Sequence, residues 1–247
     1  KLNTGEYFRN LKIDQNLNFE RVKDSNQYVF IVGMPRCGST LLESILSLNP
    51  EVKDLGEVPF LEESLQKSND LLEVRKLYKE KVMLVNSKQK TFTDKNLFNF
   101  LYCPIIYRFF PNAKIIHCIR NPLDNILSIY RTNFLNQSFS SSLNDISDLY
   151  LYHSKLMKEY KSKFGSIIYS YDHEQVVRNP KETIQDLINW LDWEWNEKYL
   201  SPQKSKRSVF TASSAQVRKK INPNSSGCWK KYEDLLEPIS ELFPTYN

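Results

Sequence analysis

Residues 28–42, YVFIVGMPRCGSTLL, decide the fold. Tyr28 to Val32 reads as a buried strand that runs into a turn held between Gly33 and Gly38, and a helix is expected from Gly38 to about Leu48. A strand ending in such a turn aims backbone N–H groups and a helix N-terminus at one point, which suits a phosphate. Gly33 and Gly38 have G-x-x-x-x-G spacing and Thr40 follows, as in a phosphate-binding P-loop, but Ser39 stands where that loop has its lysine. The fixed charge sits inside the loop instead, on Arg36. The plainer reading of 33–40 is an ordinary strand-to-helix turn. Pro35-Arg36 between two glycines at this spacing favours the phosphate cradle, made of Pro35, Arg36, Cys37, Gly38, Ser39 and Thr40.

The chain has 247 residues, enough for one α/β domain with a full core, and its 40% hydrophobic content fits a globular fold. The net charge of +5 comes without a long Lys/Arg stripe. A local positive cleft for a small anion accounts for it, and no nucleic-acid partner is called for. The four cysteines, Cys37, Cys103, Cys118 and Cys228, lack metal-ligand spacing. They read as reduced thiols, with a cytoplasmic location expected. No apolar run is long enough for a transmembrane span. KLNTGEYFRN does not read as a signal peptide.

Residues 1–27 are polar and mixed, an N-terminal arm or linker, and the domain is expected over 28–247. In EVKDLGEVPFLEESL, Gly56 marks a sharp turn and Pro59 the first turn of a short helix. Residues 70–84 read as helix. TFTDKNLFNF reads as a short strand ending near Asp94 and Lys95, with a helix from about Asn99 to Phe110. AKIIHCIR (113–120) is the clearest later strand, and Pro122 opens a helix running to about Asn133. Ile146, Leu149, His153, Leu156, Tyr160 and Phe164 recur at three- and four-residue steps, a long amphipathic helix capped from SSSLND. SIIYSYD (166–172) is a strand, PKETIQDLINWLDW (180–193) a helix, 194–231 basic and aperiodic, and Tyr232–Phe243 a closing helix. Buried strands alternating with helices predict a three-layer α/β/α fold around a central parallel sheet.

A kinase or ATPase needs a lysine on the β/γ-phosphates and an acid on Mg²⁺. The lysine is missing, and AKIIHCIR ends in Arg120 rather than an acid. A cation at a strand's C-terminal end suits a second phosphate on the same ligand, and Ser128 adds a hydroxyl eight residues along the next helix.

PRCGSTLL, LGE, TDKNLFNF, FPNAKIIHCIRNPLDNILSIYRTNF, TASSAQVRKKI and SSGCWKKYEDLL, in that order, resemble the sulfotransferase family. The nearest branch is the bacterial sulfotransferase domain found behind tetratricopeptide repeats; tyrosylprotein sulfotransferase is more distant. The resemblance covers about residues 28–243. It implies a 3'-phosphoadenosine 5'-phosphosulfate (PAPS) donor, leaving as 3'-phosphoadenosine 5'-phosphate (PAP). Arg36, Gly38, Ser39 and Thr40 would take the 5'-phosphosulfate, Arg120 and Ser128 the 3'-phosphate, and Arg218 and Lys219 would close over the nucleotide. Cys37 stands where the family more often has serine. That weakens a hydrogen bond and raises the expectation of an oxidisable thiol in the cradle.

The resemblance also implies a PAPS-dependent enzyme. Sulfuryl transfer needs a base for the acceptor, cations on the sulfuryl oxygens and leaving phosphate, and in-line placement. No metal is demanded, because basic side chains suffice for one leaving phosphate. Glu57 matches the catalytic glutamate of the tyrosylprotein branch, and Lys95 of TDK matches a lysine facing the transferred group, with Arg36 sharing that task. An exposed loop acid and a surface lysine are the plainer readings. His173 is the rival base, ahead of His117 and His153. Ser213 matches a serine near the sulfuryl group, with Ser214 as the alternative register. Tyr171 either lines the nucleotide or fills the core. Trp229 either packs the C-terminal segment near the nucleotide or, the favoured reading, fills core.

The acceptor is a hydroxyl on a small molecule, glycan or peptide, and an upstream repeat domain in a longer protein would be a partner for presenting it. A P-loop nucleotide kinase and a non-catalytic nucleotide- or nucleic-acid-binding module are the alternatives. The missing lysine argues against the first, and nothing in binding alone calls for Glu57 and Lys95 together.

Overall fold

The structure, a computed structural model, describes residues 25–85, 88–132, 134, 138–205 and 220–244. Five strands form one wholly parallel sheet: β1 (Gln27–Gly33), β2 (Val52–Gly56), β3 (Thr91–Asp94), β4 (Ala113–Ile119) and β5 (Ile168–Asp172), in the order β2-β3-β1-β4-β5. The central strand β1 carries the phosphate-loop sequence. Its neighbours β3 and β4 therefore end on either side of that loop, which is where ligands sit in open parallel sheets.

The two-residue alternation of β1 splits the core. Tyr28, Phe30 and Val32 face a cluster with Tyr78, Phe92, Phe100 and Phe110, while Val29 and Ile31 face Leu42, Ile45, Ile184 and Leu187. The first face is covered mainly by α2 (Phe60–Lys67), α3 (Leu71–Val85), α4 (Cys103–Phe109) and α6 (Leu143–Phe164), the second by α1 (Ser39–Leu46) and α8 (Pro180–Trp190). A third cluster joins Met34 to α5 (Pro122–Thr132), α6 and α9 (Glu233–Ser240), with Trp229 filling core as expected.

The three-layer α/β/α reading holds, with local differences. β2 is an added strand that VKDLG did not announce. It lies at the sheet edge, and only Val52 is buried, so no apolar alternation marks it. The helix expected over 99–110 is a 3-10 segment (Leu97–Tyr102) passing into α4 at Cys103, with Pro104 in its first turn. A short helix, α7 (His173–Arg178), follows β5 directly, capped by Asp172 Oδ1 accepting from Gln175 N at 3.1 Å. Ser142 caps α6 by accepting from Asp145 N at 3.2 Å, as SSSLND predicts.

His117 on β4 and His153 on α6 meet in the first core layer, Nε2 to Nε2 at 3.1 Å. One ring must donate and the other accept, so the contact requires the accepting ring to be neutral. Burial, then Lys161, holds the His117 pKa down to about 4; burial, then His117, lowers His153. In the unfolded chain both titrate near 6.5. As pH falls through the window from about 6.5 to about 4, the unfolded chain takes up protons that the folded chain refuses, and stability is lost. Asp94, raised to about 7 by burial, works in the opposite sense: its destabilisation appears as pH rises from the acid range through 7. His173, also held down to about 4, joins the histidine side of this balance. Thermal unfolding should therefore move to lower temperature as pH falls from 6.5 to 4.5, and the His117→Gln variant should show a shallower decline. Equal slopes would contradict the account.

Candidate active site

The loop between β1 and α1 is bent by two left-handed residues, Arg36 at φ 67° and Gly38 at φ 95°. Arginine pays a steric cost there of about 1–2 kcal/mol, so neighbouring groups must fix it. Arg120 Nη1 donates to the Arg36 carbonyl at 2.9 Å, Asn125 Nδ2 to the Pro35 carbonyl at 2.8 Å, and Arg36 Nε to Ser128 Oγ at 3.1 Å. Gly38 is required for a second reason. A Cβ at that position would lie 2.5 Å from His173 Nδ1, so the imidazole packs directly on the loop. Ser39 and Thr40, both buried, open α1, where first-turn amides have no intrahelical carbonyl to bond.

Beside this loop lies a cavity of about 360 Å³ lined by Arg36, Arg120, Ser128, Arg131, Thr132 and Ser225, among others. Arg36, Arg120 and Ser128, separated by up to 92 positions in sequence, thus share one wall. Burial, then Arg120, lowers the Arg36 pKa, a sign that two guanidiniums press positive potential into a small volume. An anion is the ligand such a volume favours.

The segment after residue 220 closes one side. Arg120 Nη2 donates to the Ser225 carbonyl at 2.7 Å, and His173 Nε2 lies 3.3 Å from Ser225 Oγ. Asp124 accepts from the backbone N–H of Gly227 at 2.6 Å and of Trp229 at 2.9 Å. Asp124, Asn125, Arg131, Thr132 and Ser225 were not singled out from sequence. A signal existed for α5: Asp124, Ser128 and Arg131-Thr132 follow the spacing of one helix face.

Glu57 and Lys95 are brought together by strand pairing. Gly56 at the end of β2 stands beside Asp94 at the end of β3, with a bulge after Asp54. Lys95 N donates to the Gly56 carbonyl at 2.9 Å, and the side chains that follow meet, Lys95 Nζ donating to Glu57 Oε1. The lysine side chain has no exposed surface, whereas that of Glu57 is 56% exposed. A buried ammonium and an accessible carboxylate in contact can place positive charge on a reacting group and receive a proton.

Other expected residues lie elsewhere. Tyr171 is fully buried in the second core layer, which is the core-filling one of its two readings. Cys37 points inward rather than into the cradle; it is 1% exposed and packs by Gly33 and Cys118. Burial alone would raise its pKa, but hydrogen bonding with Cys118 and Ser39 brings it below the ordinary value. His173 holds the loop and Ser225 together, and burial, then Arg120, keeps it neutral near pH 7. Ser213, Ser214, Arg218 and Lys219 lie outside the described residues.

Comparison with known proteins agrees with this architecture. The profile of the Sulfotransferase family matches residues 28–81 and 70–197, and the chain belongs to that family. An uncharacterized protein of Aquifex aeolicus is 32% identical over 245 residues, covering 88% of this chain. The chain spans only 32% of that relative's length. A putative protein-tyrosine sulfotransferase of Caenorhabditis briggsae is 24% identical over 247 residues, covering 88% of this chain and 86% of its own. Among solved structures, the sulfotransferase domain of the Synechococcus PCC 7002 olefin synthase superposes with a TM-score of 0.63 at 18% identity, covering 85% of this chain and 90% of that one. A mouse sulfotransferase complexed with PAP gives a TM-score of 0.59 at 15% identity, covering 91% and 85%. No helix among the described residues is long and apolar enough to cross a membrane.

The contact of Gly38 with His173 separates two costs. Gly56→Ala meets only backbone strain, since φ is 77° and no atom lies within 4 Å of the new Cβ. Urea unfolding should show a loss of about 1–2 kcal/mol for it. Gly38→Ala adds the clash with His173 and should lose at least twice as much. Equal losses would show that the imidazole does not press on the loop.

Proposed function

We propose that the chain transfers a sulfuryl group from PAPS to a hydroxyl acceptor. The observation that carries this reading is the contact between the exposed Glu57 carboxylate and the buried Lys95 ammonium, at the ends of β2 and β3, of which β3 adjoins the loop strand β1. Binding alone calls for cations but not for an accessible carboxylate set against one.

The residues present fit such a nucleotide. The loop 35–40, its left-handed Gly38 filled from behind by His173, would hold the 5'-phosphosulfate end, with Arg36 supplying charge. Arg120 and Ser128, on the wall of the 360 Å³ cavity, would hold the 3'-phosphate. Arg218 and Lys219 would close over the nucleotide, and Ser213 would stand near the sulfuryl group. When bound, the donor supplies an activated sulfuryl group joined to a phosphate leaving group.

Glu57 would accept the proton of the acceptor hydroxyl on its carboxylate, so that the oxygen attacks as it loses the proton. Lys95, held between strand ends, would place its ammonium where negative charge grows on the departing oxygen, and Arg36 would share that charge. Both cations are fixed before the reaction, so little reorganisation is needed during it. Glu57 reaches solvent, which is the side from which an acceptor must enter. The C. briggsae relative's designation favours placing tyrosine-containing peptides among the acceptors tried, beside small phenols and glycans.

Sulfuryl transfer measured with labelled PAPS across such acceptors tests the reading. Glu57→Gln and Lys95→Ala should each lose on the order of 10²-fold or more in turnover, while PAP binding, followed by calorimetry, stays within a few-fold of wild type. Near-normal turnover in either variant would remove that residue from its role.

A further inference from the structure

Lys95 has a second acidic neighbour that the sequence did not single out. Glu43 Oε2, on α1, lies 3.9 Å from Lys95 Nζ, and both side chains are fully buried. We propose that Glu43 is a positioning residue, a fixed negative charge behind Lys95 that holds the ammonium in its working place while Glu57 is engaged with the acceptor. This inference rests on the sulfuryl-transfer reading and deepens it.

The argument begins with desolvation. An ammonium with no exposed surface is strongly unfavourable unless carboxylates or other acceptors surround it. Glu57 meets that need in the structure, but it is the exposed member and the one proposed to take a proton. Once protonated it no longer offers Lys95 a negative charge. A buried lysine with only that partner would lose its counter-charge at the moment its own charge is needed. Glu43 does not face solvent, from which the acceptor enters.

The placement of Glu43 follows from the loop. It lies five residues beyond Gly38 on the helix that the cradle opens, and its carbonyl accepts from Ser47 N at 2.9 Å within that helix. The cradle and the carboxylate therefore move as one rigid element. The other side of Lys95 is equally fixed. Asp94 accepts from Tyr78 Oη at 3.0 Å, Asn96 N at 3.0 Å and Asn99 Nδ2 at 3.1 Å, so its backbone, and hence the start of Lys95, is pinned. Glu43 raises the pKa of Asp94 and Lys95 lowers it, which places the three charges in one electrostatic unit. Asp94 is thus committed to its own hydrogen bonds, while Glu43 stands within ion-pair distance of the ammonium.

Two double-mutant cycles, Glu43→Gln with Lys95→Met, test this. In turnover, Glu43→Gln should lose roughly tenfold in kcat with PAP affinity within about threefold of wild type. The double variant should be no slower than Lys95→Met, because Glu43 acts only through Lys95. In thermal unfolding without nucleotide, the double variant should be more stable than the two single losses sum to, since removing both charges relieves the one left buried. Additive losses in either cycle, or wild-type kcat in Glu43→Gln, would overturn the positioning role. A wild-type protein that binds no PAP would instead overturn the sulfuryl-transfer reading, while the unfolding cycle would still decide whether the two charges are coupled.

Discussion

A buried ammonium cannot stand alone in a protein interior, and Lys95 is one. Its side chain is wholly removed from solvent, so the surrounding chain must bring acids to it. The way they are brought organises this end of the molecule. The parallel pairing of β2 with β3 sets Gly56 beside Asp94 and so delivers Glu57 to the ammonium. The helix that starts at the loop delivers Glu43 as a second, buried acid. The edge strand β2 buries little apolar surface. Its positioning of Glu57 is what it contributes to the site.

The opposite problem is solved a short distance away. Arg36 and Arg120 face one small cavity, and the burial and mutual repulsion that lower the Arg36 pKa are relieved by an anion. Arg120 also donates to the carbonyls of Arg36 and Ser225, so the same guanidinium ties the loop to the segment that closes the cavity. His173 repeats the tie from behind Gly38. The site thus has a fixed anion-holding end and, across the sheet, a charged pair of which one member reaches solvent. Sulfotransferase family membership agrees with that division, and the PAPS donor and residue roles follow from it as proposals.

Much of this was legible in the sequence, for reasons specific to each element. The central strand and its loop could be read because Tyr28–Val32 is continuously apolar and the glycine spacing is informative. Glu57 and Lys95 came from resemblance, and no local pattern says that residues 38 apart should touch. That contact depends on β2, an edge strand whose polar sequence gives no alternation. Glu43 was hidden for the converse reason: a glutamate in a helix reads as a surface residue, and only packing reveals that this one is buried. Tyr171 shows the limit of motif matching, since β5 sends it into the core while His173, opening the helix that follows, reaches the loop.

The most direct test is a calorimetric titration of the wild-type protein with PAP, in the presence of chelator, set against ATP with Mg²⁺. A loop without the P-loop lysine, carrying Arg36 and held by Arg120, predicts micromolar binding of PAP without metal and little binding of ATP-Mg²⁺. The reverse preference would contradict the account and make nucleotide kinase chemistry the primary reading.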